Sequence, residues 1–301
     1  TGAVTGFGMI VAFTTNKYLP YLVPTKGYES AMYFCLGAGI VILAMLSLII
    51  RDRKVDVDED DTESAEARAL KFADLKPYLV KIVKNPQMWV SGIIGTLLYL
   101  PATVFSDVWG RPFLESVYHF TPQQSASAIL VMMVGWTCSS FVAGALSDIF
   151  GTRKIPLVIA TFSAFIICSI LFYAPGISVS MVFILLFLLG VCCGPHPLCF
   201  TLSKENNTVK VAATAMAFAN FLIMLGGFIF QPVVGKMLDM GWQGAVSSSG
   251  LRIYGGTDFM IALSIIPAGL LIGGLLTLAV KETYRRDGHH ADKKEAVQAA
   301  S

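Results

Sequence analysis

VSMVFILLFLLGVCCGPHPLCFTL, residues 179–202, is a stretch of twenty-four residues without one charged side chain. A bilayer core is about 30 Å thick and an α-helix rises about 1.5 Å per residue, so roughly twenty apolar residues cross it. A strand of a membrane barrel is about half as long and alternates between faces, whereas this stretch is apolar on all sides. Lipid cannot satisfy an open backbone, so the stretch has to be a helix.

Outward from it, seven more stretches meet the same test, at about 2–22, 30–50, 88–110, 125–147, 155–174, 211–238 and 257–280. The bulk composition agrees: 55% of residues are hydrophobic, 14% are charged, and the mean hydropathy is +0.67. A soluble domain carries about 25% charge, because its surface faces water. The expected fold is an all-α polytopic membrane protein with eight transmembrane helices.

Lys and Arg give the sidedness. The connections after the second, fourth, sixth and eighth spans hold seventeen of the twenty-two, leaving Lys17, Lys26, Arg111, Lys236 and Arg252 on the other side. The positive-inside rule then places the larger group, and the C-terminus, in the cytoplasm. The longest connection, 51–87, opens with basic residues Arg51, Arg53 and Lys54 and turns acidic from Asp56 to Glu66. From Ala67 to Lys84 it reads as an amphipathic helix, with Leu75, Leu79, Ile82 and Val83 on one side and lysines elsewhere, suited to the cytoplasmic interface. The six cysteines all fall in apolar runs without CxxC spacing, and read as packing residues.

Between the fourth and fifth spans lies GALSDIFGTRK, residues 144–154. Gly144 permits close helix approach, Gly151 a sharp reversal, and Asp148 a pair with Arg153 or a helix end. The segment resembles the signature of the major facilitator superfamily: a glycine, an aspartate four residues on, a glycine three further, then a basic pair. Ile149 and Thr152 depart from it, standing where basic residues are common. VFSDVWG (104–110) and FTLSKENN (200–207) look like the same group, among bacterial permeases loosely grouped with nitrate and sugar-phosphate carriers. The resemblance implies that Gly144, Asp148, Gly151, Arg153 and Lys154 form a latch between inward- and outward-open states.

It also implies an order for the spans. Gly27 and Tyr28, with a basic exit at Arg51–Lys54, are echoed by Gly241 and Trp242, with a basic exit at Lys281–Arg286. Such an echo suits helices five and six against eleven and twelve of a twelve-helix fold made of two parallel repeats. Residues 1–50 are then the last two helices of the N-terminal half, with four helices missing ahead of them. Residues 51–87 form the central loop, 88–284 the C-terminal six-helix bundle, and 285–301 a cytoplasmic tail.

Polar residues inside spans are the site candidates, since lipid burial is costly without a partner or a cavity. Asp107, beside Trp109, reads as a proton-coupling carboxylate, an outer gate, or an interfacial residue paired with Arg111. His196 sits between Pro195 and Pro197, which free backbone carbonyls; it reads as a titrating group or as a histidine bonded to a neighbouring helix. Asn220 and Gln231 suit solute hydrogen bonding or interhelical contact. Tyr99 and Thr103 suit cavity lining or packing. Gly92 and Gly95, like Gly2 and Gly6, read as packing notches.

Within the membrane-embedded parts of the eight spans there is no arginine, which disfavours a double-arginine anion site. No nucleotide loop, metal cluster or catalytic triad is visible, so no enzyme, metal or cofactor is expected. The reading is a secondary active transporter of a small polar organic solute, working by alternating access and coupled to protons. It is expected to be a monomer in the bacterial cytoplasmic membrane, with solute, protons and lipid as partners and no nucleic acid. A membrane solute sensor signalling through 51–87, or an organic-anion or phosphate-ester antiporter, are the alternatives.

Overall fold

The computed structural model describes residues 27, 29–30, 32–37, 39–40 and 75–282, other than 175, 209–210, 247–249 and 251. The chain divides into two compact units, Phe7–Ala73 and Thr1–Gly6 with Asp74–Ser301. In the first unit the described residues are helical. The remainder of the first two expected spans, the acidic stretch 56–66 and the tail 285–301 lie outside the described residues.

From residue 75 the order is α1 (Leu75–Lys84), α2 (Pro86–Leu100), a π-helical stretch (Pro101–Trp109), α3 (Gly110–Val117), α4 (Pro122–Phe150) and α5 (Lys154–Tyr173). Then come α6 (Val179–Cys193), α7 (Leu198–Glu205), α8 (Ala212–Gly241), α9 (Gly256–Leu263) and α10 (Ile265–Leu278). Six stretches are long and apolar enough to cross a membrane: Pro86–Val117, Pro122–Phe150, Lys154–Tyr173, Val179–Glu205, Ala212–Gly241 and Gly256–Leu278. They coincide with the six spans read from residue 88 onward. The β-type pairing among the described residues is one isolated antiparallel bridge, Val246 to Arg252.

Local chemistry sets the span ends. Asn85 accepts the Gln87 backbone N–H at 3.0 Å, and Pro86 follows as the first helical residue, where its missing donor costs nothing. Thr121 and Gln124 cap the next span reciprocally, ahead of Pro122. Ser178 caps α6. The first of the six spans outlasts its apolar run: the hydropathy fades at Gly110, but the helix continues through α3 to Val117. Within it, Pro101 cannot donate to the turn before, and the ladder widens to the π pattern, in which the Gly110 N–H reaches Phe105 O.

Small residues then bring the helices together, as expected where lipid offers no hydrophobic drive for association. A side chain at Gly92 or Gly95 of α2 would run into Leu222 or Ile223 of α8, and one at Gly226 of α8 into Thr96. Thr96 also donates to Leu222 O at 3.0 Å. Gly135 of α4 faces the Phe187 backbone, while Gly190 and Gly194 face the α4 backbone and Ser139, leaving no room for a methyl group. Gly269 and Gly273 of α10 meet Leu100 and Leu97. With neighbours on several sides, an 18-residue apolar stretch of span Pro86–Val117 is 72% buried, against 33–50% for such stretches of the other five, so this span is the hub of its unit. Phe105, Phe113 and Phe172 pack ring on ring at the α3 end, and Tyr118 donates to Leu171 O at 2.5 Å.

α1 is amphipathic in part only as read. Ile82 is fully buried against Met88, Val211 and Ala215, but Leu79 and Val83 are exposed. The cause is geometric: Ile82 lies on the side turned towards the bundle, and the other two on the side turned away.

Candidate functional site

Three polar sets sit along the bundle. The first is at the end where α4 gives way to α5. Gly151 takes the left-handed conformation there, φ 61°, which reverses the chain after Asp148. The reversal brings Arg153 Nη1 to 2.6 Å from Asp148 Oδ1 and 3.0 Å from Ser147 Oγ. The same guanidinium reaches back to the end of α7, with Nη2 3.0 Å and Nε 3.2 Å from Glu205 Oε1. Glu282, just past α10, accepts the backbone N–H groups of Arg153 at 2.9 Å and Lys154 at 3.2 Å, and the Thr152 hydroxyl donates to it. A carboxylate at the N-terminus of α5 meets its unpaired donors and the positive end of its dipole. Lys154 Nζ donates to Leu278 O at 2.5 Å, near the C-terminal end of α10.

One arginine therefore ties the α4–α5 turn to the end of α7, and one glutamate ties the turn to the segment after α10. Arg153 is 12% exposed, Glu205 25% and Asp148 60%, so the Glu205 contact is the better shielded. Burial works against the Arg153 charge, but hydrogen bonds and attraction from Glu205 and Asp148 outweigh it and hold the guanidinium above the usual arginine value. Glu205, Glu282 and Ser147 were not singled out from the sequence. The signal available was the pairing of each acid with a neighbouring lysine, Lys204 and Lys281, directly at a span end. Among the described residues nothing lies within 4 Å of where a side chain at Gly144 would be.

The second set is in the middle of a span. Pro195 and Pro197 lack N–H groups, so α6 stops at Cys193 and the chain turns before α7. His196 N–H bends to Cys193 O at 3.1 Å, and Ser140 Oγ of α4 donates to Gly194 O at 3.0 Å. The imidazole stacks on Tyr99 with centroids 4.8 Å apart at 24°, lies 5.8 Å from Trp136, and stands edge-on to Phe200 at 5.5 Å. Only 5% of His196 is exposed, and its Nε2 is buried without a hydrogen-bond partner among the described residues. Among the described residues Nε2 thus makes no bond to a neighbouring helix. The indole N–H of Trp136 is buried and unpartnered in the same way. Leaving such a group unmade costs about 1–3 kcal/mol.

The third set lies farther along the hub span. Thr103 is buried and donates to Tyr99 O at 3.3 Å, within its own helix. Gln231 Nε2 donates to Thr103 O at 2.8 Å, joining α8 to the π-helical stretch. Gln231 is therefore an interhelical tie in this state. Asp107 is exposed and makes no ion pair with Arg111, one of the roles left open for it. Asn220 is exposed and has no hydrogen-bond partner among the described residues. The structure thus joins Tyr99 to His196 and Thr103 to Gln231, and leaves Asp107 and Asn220 apart from both.

The sequence profile of the Major Facilitator Superfamily matches residues 1–231, which takes in the latch turn, the broken span at His196 and most of α8. The chain belongs to the Major Facilitator Superfamily. It is therefore a membrane transporter with several membrane-spanning helices, and the helical bundle around the hub span is part of a transporter fold. No curated protein matches the chain.

Proposed function

We propose that this major facilitator protein is a secondary active transporter that moves a small polar organic solute by alternating access, driven by protons. The observation that carries the reading is His196: a titratable ring held at a break in a span, stacked on Tyr99, with its Nε2 unpartnered. A group that lacks a partner in one state is one that a second state, or a proton, can supply. Tyr99 beside it, and Thr103, Asp107, Asn220 and Gln231 elsewhere in the bundle, supply the other polar groups of the path. The cluster of Asp148, Gly151, Arg153 and Lys154 is the conformational latch, on the cytoplasmic side of the bacterial inner membrane. Gly144 contributes to it by sequence position alone. The described spans carry no arginine in their middle thirds, which weighs against a phosphate-ester or nitrate antiporter.

The test uses the intact protein in sealed vesicles, with an imposed inward proton gradient and labelled amino acids, short peptides and small organic acids. Uptake that collapses with an uncoupler is the expected result, with the pH profile altered in His196→Gln. Binding of a solute without any gradient-driven uptake would overturn the reading in favour of a sensor.

A further inference from the structure

Seven carboxylates lie between residues 75 and 282. Six of them are engaged. Glu115 accepts from Ser125 at 2.7 Å, Asp148 and Glu205 pair with Arg153, and Asp239 takes both Arg252 at 2.5 Å and Tyr254 at 2.6 Å. Asp258 accepts the Gly255 N–H at 2.9 Å, and Glu282 holds the N-terminus of α5. Asp107 is the seventh, and among the described residues it has no hydrogen bond and no ion pair.

Its position is as unusual as its lack of a partner. Asp107 lies ten residues inside the end of span Pro86–Val117. Every other charged residue of the six spans falls within six residues of a span end, the deepest cations being Arg111 and Lys236. Asp107 is exposed, within the π-helical stretch. A carboxylate so placed is costly against lipid tails, and water or a solute on its exposed side relieves that cost. There it imposes a sign. An anionic solute would meet a like charge and no fixed cation in the middle of any described span, whereas a cationic group would meet its counter-ion in a low-dielectric setting.

We propose that Asp107 is the counter-ion for a protonated amine on the transported solute, so that the substrates are amines or amino-bearing zwitterions and not simple anions. The assignment rests on the transporter reading, but it concerns binding and is tested without transport. Intact protein in detergent is melted with three millimolar pools: aliphatic amines with α-amino acids, the same compounds N-acetylated, and small mono- and dicarboxylates. The amine pool is expected to raise the melting temperature, and the other two to leave it unchanged. Asp107→Asn should weaken the response roughly tenfold or more in apparent affinity while the unliganded melt stays put, with Asp107→Glu keeping most of it.

Protection by the acetylated or carboxylate pool equal to that by amines would overturn the proposal, as would no protection by any amine. Full amine binding in Asp107→Asn would overturn it as well, and would make Asp107 a proton carrier. Amine binding that persists without gradient-driven uptake would leave this assignment standing and sink the transporter reading alone. Should Asp107→Asn fail to fold, the contrast between free and acetylated amines on the unmodified protein, together with Asp107→Glu, decides.

Discussion

The latch end of the bundle and its mid-span set are both polar, and they are organised in opposite ways. At the latch, four charged residues and two hydroxyls share a dense network in which Arg153 alone makes contacts to Asp148, Glu205 and Ser147. In the middle, His196 Nε2 and Trp136 Nε1 stand without partners among the described residues, surrounded by rings and helix backbone, and the Asp107 carboxylate, exposed farther along the hub span, is unpartnered too. A network that is complete stabilises the conformation in which it is complete. A set left incomplete in a low-dielectric setting is held at a disadvantage until something arrives. The contrast separates groups that set the conformational equilibrium from groups that meet the cargo.

The strongest way to break the contrast is Arg153→Ala. It removes the bond to Glu205 and the bond to Asp148 at once, and each charge-assisted hydrogen bond is worth about 1.5–3 kcal/mol. The Asp148 bond is largely screened by solvent, so with the better-shielded Glu205 bond alone counted in full, at about 1.4 kcal/mol per tenfold, turnover in vesicles should fall by about tenfold to a hundredfold, with solute affinity changed by less than about twofold. If affinity falls as far as turnover, the two regions are not separate. Asp148→Asn sharpens the same point with a smaller effect. Turnover slows far more than binding weakens, but by less than in Arg153→Ala, because Asp148 is 60% exposed and Arg153 keeps Glu205. Unchanged turnover in Asp148→Asn would remove the residue from the latch. Smallest is Gln231→Ala. It leaves Thr103 O to its own helix and should lower stability by about 1 kcal/mol, read as a modest drop in melting temperature. A loss of solute affinity there without loss of stability would give Gln231 its role in the solute path alone and none in the fold.

What the sequence made legible follows the same division. Spans are written in hydropathy because a bilayer imposes one length on every crossing helix, and six of them stand where the apolar runs stand. Their ends were less legible. Arg111 and Glu115 close the apolar run of the first of the six, yet the helix persists to Val117, since charged side chains at an interface are solvated without disturbing the backbone. Pro101 announces a lost donor but not that the ladder will widen instead of break. Asp148 and Arg153, five residues apart across a glycine turn, could be read as neighbours. Glu205 and Glu282, 52 and 129 residues from Arg153, could not, because only the packing of α5, α7 and α10 brings them there. His196 was legible as an unusual residue between two prolines. That it would lie against Tyr99, Trp136 and Phe200 depends on three separate segments meeting.

The π-helical stretch has a bearing on how this chain can vary in length. A π turn carries one residue more than an α turn does, so Pro101–Trp109 amounts to a single-residue insertion absorbed without breaking the helix. Removing one residue there would restore an ordinary ladder and leave the helix faces on either side in register, because the extra residue is already absorbed. Phe113 and Leu114, now fully buried, would keep their places against the core. A deletion elsewhere in a span rotates all that follows by about 100° relative to all that precedes. At 101–109 one residue can be lost without changing the direction in which the outer part of the hub helix faces.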